Sequence, residues 1–279
     1  VVPLAEKHQT LRRSIAEYGS ALVCFSGGVD STLLLKVARD VLGDRCVALI
    51  AMSPTMAKSE QKAALALAAA IGARVEEVQT HELSRPEFRA NPKDRCYHCK
   101  AELLDLAKPV ADRLGLAAIL LGTNVDDQGD YRPGSQAAKD RGAVHPLLDA
   151  GLTKAEIRQL SKELGLPTWD KPQLACLSSR FPYGTEITAE RLAQVDAFED
   201  GLRALGFRQL RVRYHNEVAR LELEEDAMPR ALQPEVRKAI VELGRKLGFT
   251  FVSLDLAGFA SGSLNQLIGI RPGNSRWKP

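Results

Sequence analysis

Apolar and polar positions alternate in blocks along the first two-thirds of the chain, and the period of the pattern switches from block to block. Leu4–Tyr18 repeats its apolar residues at helical spacing, whereas residues 21–25 (ALVCF) form a short unbroken apolar run. Such a run, bounded by turn residues, predicts a strand buried on both faces. Residues 46–51 (CVALIA) and 117–121 (AAILL) predict two more buried strands, and Arg74–Gln79 alternates like a further one. Between them, helices are expected over residues 32–42, over Lys58–Ile71 with Gly72 as its stop, and over residues 100–114. Residues 153–164 predict another, with Thr153 as cap and Glu156 at the capping-box position. Repeated strand–helix alternation implies an α/β domain, a parallel sheet with helices on both faces.

The pattern changes after about Pro182. A helix over residues 188–205 is followed by paired strands over 208–214 and Val218–Leu223, with His215 and Asn216 near the turn. A helix over 234–247 and a strand over 250–256 complete a smaller α+β domain. The expected division is therefore 1–182 and 183–279.

Composition narrows the function. The chain has 279 residues, 45% of them hydrophobic, enough to form one large domain or two modest ones. Lys+Arg total 38 against Asp+Glu 35, a net charge of +3 that argues against a broad nucleic-acid surface. No apolar run reaches membrane-spanning length, and residues 1–9 lack the order of a secretory signal. A cytoplasmic protein is the expectation. In a reducing compartment its five cysteines read as structural, catalytic or metal-bound rather than as a disulfide framework.

The sharpest chemical signal is Ser26-Gly27-Gly28-Val29-Asp30-Ser31, placed between a buried strand and a helix. Glycines let the backbone approach a ligand closely, and the following helix aims its unpaired N–H groups and dipole at the loop. Ser26 and Ser31 add hydroxyls, and Asp30 reads as a Mg²⁺ ligand, direct or through water. The alternative, an ordinary Gly-Gly turn, leaves the surrounding polar positions without a purpose. No lysine follows the last glycine, so this is not a Walker A loop. A second segment, Gly122-Thr123-Asn124-Val125-Asp126-Asp127, follows a buried strand at the sheet edge where α/β folds bind ligands. Asp127 is assigned there to metal or nucleotide contact, with a solvated turn as the alternative. Met52 and Ser53, at the end of the second strand, are placed to present backbone groups to adenine.

Cys24 and Cys46 lie in or beside apolar strands and read as small buried hydrophobes. Cys96-Tyr97-His98-Cys99 precedes a predicted helix, and Cys176 lies in Ala175-Cys176-Leu177-Ser178-Ser179-Arg180. A redox pair, a zinc site using three cysteines with His98 or water, and a three-cysteine [4Fe–4S] cluster with one open iron are all compatible with these residues.

The SGGVDS loop resembles that of the PP-loop N-type ATP pyrophosphatases, which implies cleavage between the α and β phosphates of ATP. Together with CYHC, the 122–127 segment and ACLSSRFPYGTEIT, it makes the chain similar along most of its length to the LarE family of ATP-dependent sulfur transferases. The resemblance implies adenylation of the carboxylates of pyridinium-3,5-biscarboxylic acid mononucleotide. AMP is then replaced by sulfur to give thiocarboxylates for the nickel-pincer nucleotide cofactor. It implies that Cys176 is the sulfur-bearing catalytic residue and that Cys96, Cys99 and Cys176 hold a [4Fe–4S] cluster relaying sulfide. A homo-oligomer is also implied.

The substrate's phosphate needs cations, and Arg211 and Arg213 share one strand face while Ser179 and Arg180 adjoin Cys176. An exposed basic strand face is the alternative for the two strand arginines. Glu222, Glu224 and Asp226 read as a solvated acidic edge, or less simply as a second cation site. Competing functions are a tRNA thiolase, disfavoured by the near-neutral charge, a zinc-containing PP-loop amide or nitrile ligase, and a non-enzymatic adenine-nucleotide-binding electron carrier or sensor.

Overall fold

The computed structural model describes residues 2–129, 133–172, 175–260, 263 and 269. The chain divides into two compact units, Val1–Glu82 with Asp94–Leu174, and Leu83–Lys93 with Ala175–Pro279. Among the described residues no helix is long and apolar enough to cross a membrane.

The first unit runs α1 (Leu4–Tyr18), β1 (Ala21–Cys24), α2 (Val29–Leu42), β2 (Cys46–Met52), α3 (Lys58–Ile71) and β3 (Arg74–Gln79). In the second unit's first segment lies the short α4 (Pro86–Arg89). The first unit resumes with α5 (Arg95–Leu114), β4 (Ala118–Leu120), α6 (Pro133–Asp140), α7 (Pro146–Asp149) and α8 (Lys154–Glu163). Its sheet is parallel throughout, in the order β3-β2-β1-β4. Successive strand residues face opposite sides, so each apolar run feeds two cores. Ala21, Val23, Ala48 and Ile50 pack with Leu11, Ile15, Leu34 and Leu160 on one face. Leu22, Cys24, Val47 and Leu49 pack with Leu104, Ala107 and Val110 of α5 on the other. The unbroken apolar runs follow from this double burial.

Two element starts differ from the sequence expectation. Helix α2 begins at Val29 rather than Thr32, so Asp30 and Ser31 occupy its first turn. Helix α5 begins at Arg95 rather than Lys100, so Cys96 and Cys99 sit inside the helix instead of before it. In both cases the first turn is rich in polar residues, Asp30 and Ser31 in α2 and Arg95 and His98 in α5, and apolar periodicity does not register such a turn. The cap expected at Thr153 is present: its hydroxyl accepts the Glu156 N–H, and Glu156 returns a bond to the Thr153 N–H.

The second unit contains α9 (Ala189–Ala204), β5 (Leu210–His215), β6 (Val218–Leu223), α10 (Met228–Ala231), α11 (Pro234–Lys246) and β7 (Phe251–Leu254). Strands β5 and β6 form an antiparallel hairpin from Leu210↔Leu223 to His215↔Val218, and β7 adds parallel to β6. Residues 83–93 join this unit through Phe88, which is buried, and through backbone bonds from Ile187 N–H to Arg89 O (2.9 Å) and Gly184 N–H to Asn91 O (3.0 Å). Sequence patterning assigned no element there. Residues 175–182, counted with the first domain on pattern alone, group with the second unit.

Candidate active site

Strand β1 continues one residue past Cys24, where the Phe25 N–H donates to Leu49 O at 2.8 Å. The chain then turns sharply. Gly27 has φ 69°, a left-handed conformation that costs a side-chain-bearing residue about 1–2 kcal/mol. A Cβ at Gly27 would also lie 3.1 Å from Ala64 Cβ on α3. Gly28 caps α2. The two loop serines close the turn: Ser26 N–H donates to Ser31 Oγ (3.3 Å), Ser31 Oγ donates to Gly28 O (3.2 Å), and the two hydroxyls stand 3.2 Å apart. The result is a cradle at a helix N-terminus, an arrangement that favours phosphate.

The 122–127 segment lies against this cradle. A Cβ on Gly122 would come within 3.0 Å of the Ser31 backbone nitrogen and 3.2 Å of its Cα. Gly122→Ala should therefore displace the loop. Overpacking of this kind costs about 1–3 kcal/mol, and we expect ATP affinity measured by calorimetry to fall by about tenfold, since 1.4 kcal/mol is a factor of ten. Unchanged affinity would show that the loop tolerates movement.

Asn124, fully buried, donates through Nδ2 to Asp30 Oδ1 at 3.2 Å. Its own turn is braced by Asn124 N–H to Asp127 Oδ2 (3.0 Å) and Asp126 N–H to Asn124 Oδ1 (2.9 Å). Asn124 thus reaches the loop, and Asp127 braces the turn that aims it. Asp30 also pairs with Lys154 Nζ. Lys171 Nζ donates to Gly27 O at 3.0 Å and pairs with Glu60 at 2.6 Å. Lys154, Lys171 and Glu60 escaped the sequence reading because they lie far along the chain from the loop, in no motif. Met52 is half-buried at the end of β2. Ser53 is buried, its N–H donates to Ala51 O, its carbonyl accepts Gln61 Nε2 at 2.8 Å, and its hydroxyl lies between Thr55 and Glu82.

In the second unit, Cys176 is exposed at the head of a short 3₁₀ turn, Leu177–Arg180. Arg180 fixes this turn. One guanidinium nitrogen donates to Ala175 O (2.7 Å), Cys176 O (3.0 Å) and Ser179 Oγ (3.0 Å), while the other two make a bidentate pair with Glu199 at 2.8 Å each. Arg180 is 2% exposed and Glu199 0%. Arg213 donates to Ser179 O at 2.6 Å and pairs with Glu222 at 2.7 Å. Arg211 lies over the Phe259 ring at 4.9 Å. Burial, reinforced by the Arg180 charge, pushes the Arg211 guanidinium down to about 9. Ser179, Arg180, Arg211, Arg213 and Cys176 are therefore gathered in one place.

The alternative of an exposed basic face is excluded, since both strand arginines are buried, and Glu222 is no solvated edge: it is fully buried between Arg213 and Arg220. Apolar residues interleaved with charges on β5 and β6 looked like a surface pattern, but the ion pairs allow both kinds to be buried.

Burial by itself would raise Glu199, but the Arg180 charge and hydrogen bonds and the Val212 N–H outweigh it and hold the carboxyl below the ordinary range. A carboxylate depressed in the folded state adds stability above its unfolded value of about 4.3 and loses it as pH falls through the folded value. Thermal unfolding of wild type and Glu199→Gln should differ most at neutral pH and converge in acid. A gap that does not narrow as pH falls below that unfolded value would contradict this.

Cys96 is exposed and Cys99 half-buried, three residues apart on one face of α5. Burial raises the thiols of Cys24 to about 11 and Cys46 to about 12, which keeps them protonated. Cys96, Cys99 and Cys176 are the cysteines that lie outside the apolar cores. Among the described residues, no three His, Cys, Asp or Glu side chains stand together as a metal-holding group.

Residues 4–97, which contain the cradle, match the NAD synthase family model. The chain is 47% identical over 265 residues to an uncharacterized protein of Synechocystis, covering 95% of this chain and 99% of that one. It is 25% identical over 202 residues to one subunit of the glutamine-hydrolyzing GMP synthase of Methanoculleus marisnigri, covering 66% and 63%. It is 40% identical over 268 residues to the pyridinium-3,5-bisthiocarboxylic acid mononucleotide synthase of Lactiplantibacillus plantarum, covering 95% of this chain and 96% of that enzyme. The chain belongs to this synthase family. Like the other members of the PP-loop class, it is an ATP-dependent enzyme.

Proposed function

We propose that this enzyme adenylates the carboxylates of pyridinium-3,5-biscarboxylic acid mononucleotide and replaces the AMP with sulfur, making the thiocarboxylates of a nickel-pincer nucleotide cofactor. The observation that carries the reading is the coexistence, in a chain of this family, of a phosphate cradle and an exposed thiol on a pinned loop, Cys176.

The chemistry needs both. A carboxylate resists nucleophiles because its oxygen leaves poorly. In the first step a carboxylate oxygen attacks the α-phosphorus, the bond to the bridging oxygen breaks, and pyrophosphate takes the electron pair. The N–H groups at the start of α2, with the Ser26 and Ser31 hydroxyls, are preformed donors for that departing charge. Asp30 is the carboxylate beside them that would hold Mg²⁺, whose charge would neutralise the phosphates. In the second step a sulfur nucleophile attacks the acyl carbon, and AMP leaves carrying the original carboxylate oxygen.

Arg180, Arg211 and Arg213, with Ser179, are suited to the substrate's phosphate. Burial, reinforced by the Arg180 charge, already lowers Arg211, and a bound anion would favour its charged form. Cys96, Cys99 and Cys176 would hold a [4Fe–4S] cluster, which supplies an open iron able to carry an exchangeable sulfide. The residues' own contribution is to present thiols outside the apolar core, with the Cys176 backbone fixed by Arg180. The proposal includes a reducing cytoplasm, a homo-oligomeric enzyme, and sulfide or another sulfur donor as the source of sulfur.

Anaerobically purified protein given Mg·ATP and the pyridinium mononucleotide should form AMP and pyrophosphate only when the mononucleotide is present. ADP and phosphate would overturn the reading. Iron and acid-labile sulfide analysis of the same preparation, repeated on Cys96→Ala and Cys99→Ala, tests the cluster.

A further inference from the structure

We propose that Lys154 and Lys171 are the two cationic arms that take the triphosphate of ATP, and that Glu60 is the positioning residue that keeps Lys171 at the loop before nucleotide arrives. The proposal rests on the cradle being the ATP site and adds residues to it that no motif contains.

Both ammonium groups already touch the cradle: Lys154 at Asp30, Lys171 at Gly27 O. Both lysines are held from behind as well. The Lys154 N–H donates to Asp126 Oδ2 at 2.5 Å, which ties it to the turn that aims Asn124 at Asp30. The Lys171 carbonyl accepts Arg158 Nη2 at 2.8 Å, and Arg158 Nη1 holds Trp169 O at 2.7 Å, so α8 fixes the backbone of both arms. Glu60 lies in the first turn of α3, the helix whose Ala64 backs Gly27.

Without nucleotide, two lysines and two carboxylates balance. A triphosphate brings several negative charges to the same place and competes with Asp30 and Glu60 for the ammonium groups. A lysine suits this exchange, because its charge sits on a flexible four-carbon stem and can swing from carboxylate to phosphate. Pyrophosphate gains charge as the α-phosphorus bond breaks, so cations on the β and γ phosphates stabilise the transition state more than the ground state. AMP, lacking those phosphates, should be indifferent to both lysines.

The test uses inorganic pyrophosphate with Mg²⁺ as probe, titrated calorimetrically into the full-length protein, with AMP titrated in parallel. Lys154→Gln and Lys171→Gln should each weaken pyrophosphate binding by about tenfold or more, the scale of a lost charge-assisted contact, and leave AMP binding unchanged. Glu60→Gln should weaken pyrophosphate less than either lysine change. Lys154→Arg and Lys171→Arg keep a cation and should retain part of the affinity, which separates charge from packing. Lys108→Gln, which removes an exposed cation paired with Asp112 on α5, is the control and should bind like wild type. Wild-type affinity in both Gln variants, or equal loss of pyrophosphate and AMP, overturns the proposal. Wild type that binds neither ATP nor pyrophosphate overturns the underlying ATP site itself.

Discussion

Arg180→Ala should destabilise the second unit by about 3–5 kcal/mol, because it leaves the buried Glu199 carboxylate without its bidentate partner. Few single substitutions in this chain should cost more. The same change removes the hydrogen bonds to Ala175 O and Cys176 O, so the sulfur-bearing loop loses its anchor along with the fold. Denaturant unfolding followed by circular dichroism measures the first effect. Arg180→Ala/Glu199→Leu separates the two, since replacing both partners by apolar groups can recover stability. We expect the double variant to regain stability without regaining sulfur transfer. Recovery of both would mean that Arg180 serves only the fold.

Cys176→Ala should abolish thiocarboxylate formation and leave ATP cleavage intact. The side chain is exposed, and substitutions at such positions shift stability by no more than about 0.5 kcal/mol. In the proposed mechanism adenylation belongs to the cradle in the first unit and does not need the thiol, so substrate-dependent pyrophosphate release should still occur in a first turnover. Cys24→Ala should behave in the opposite way: its thiol is buried in the core and kept protonated, so stability changes and chemistry does not. Equal loss of pyrophosphate release and sulfur transfer in Cys176→Ala would contradict this division of labour.

The contrast between what the chain reveals in one dimension and in three follows from where the information lies. Strands β1, β2 and β4 were legible because burial between two helix layers makes their apolar runs unbroken, and the edge strand β3 was legible from its alternation. The cradle was legible because its glycines, serines and aspartate are contiguous, and only Gly fits the φ of 69° at Gly27. Residues 83–93 were not assigned to the second unit because the bonds of Arg89 and Asn91 to residues 184 and 187 bridge almost a hundred positions. Lys154 and Lys171 were missed for the same reason, each reaching the loop from more than a hundred residues away. Arg211, Arg213 and Glu222 were the subtler case: the alternation on β5 and β6 is real, but ion pairing buries both faces, and period alone cannot distinguish a paired interior charge from a solvated one.

Oxygen-18 placed in the substrate carboxylates tests the central claim most directly. If the carboxylate attacks the α-phosphorus and sulfur then displaces AMP at the acyl carbon, each thiocarboxylate formed leaves one labelled oxygen on AMP, and none on pyrophosphate. Mass spectrometry of the nucleotide and pyrophosphate after anaerobic reaction reads this out. Labelled AMP in equal amount to thiocarboxylate is the predicted result. Unlabelled AMP, or label found in pyrophosphate or free phosphate, would contradict activation of the carboxylate by adenylation.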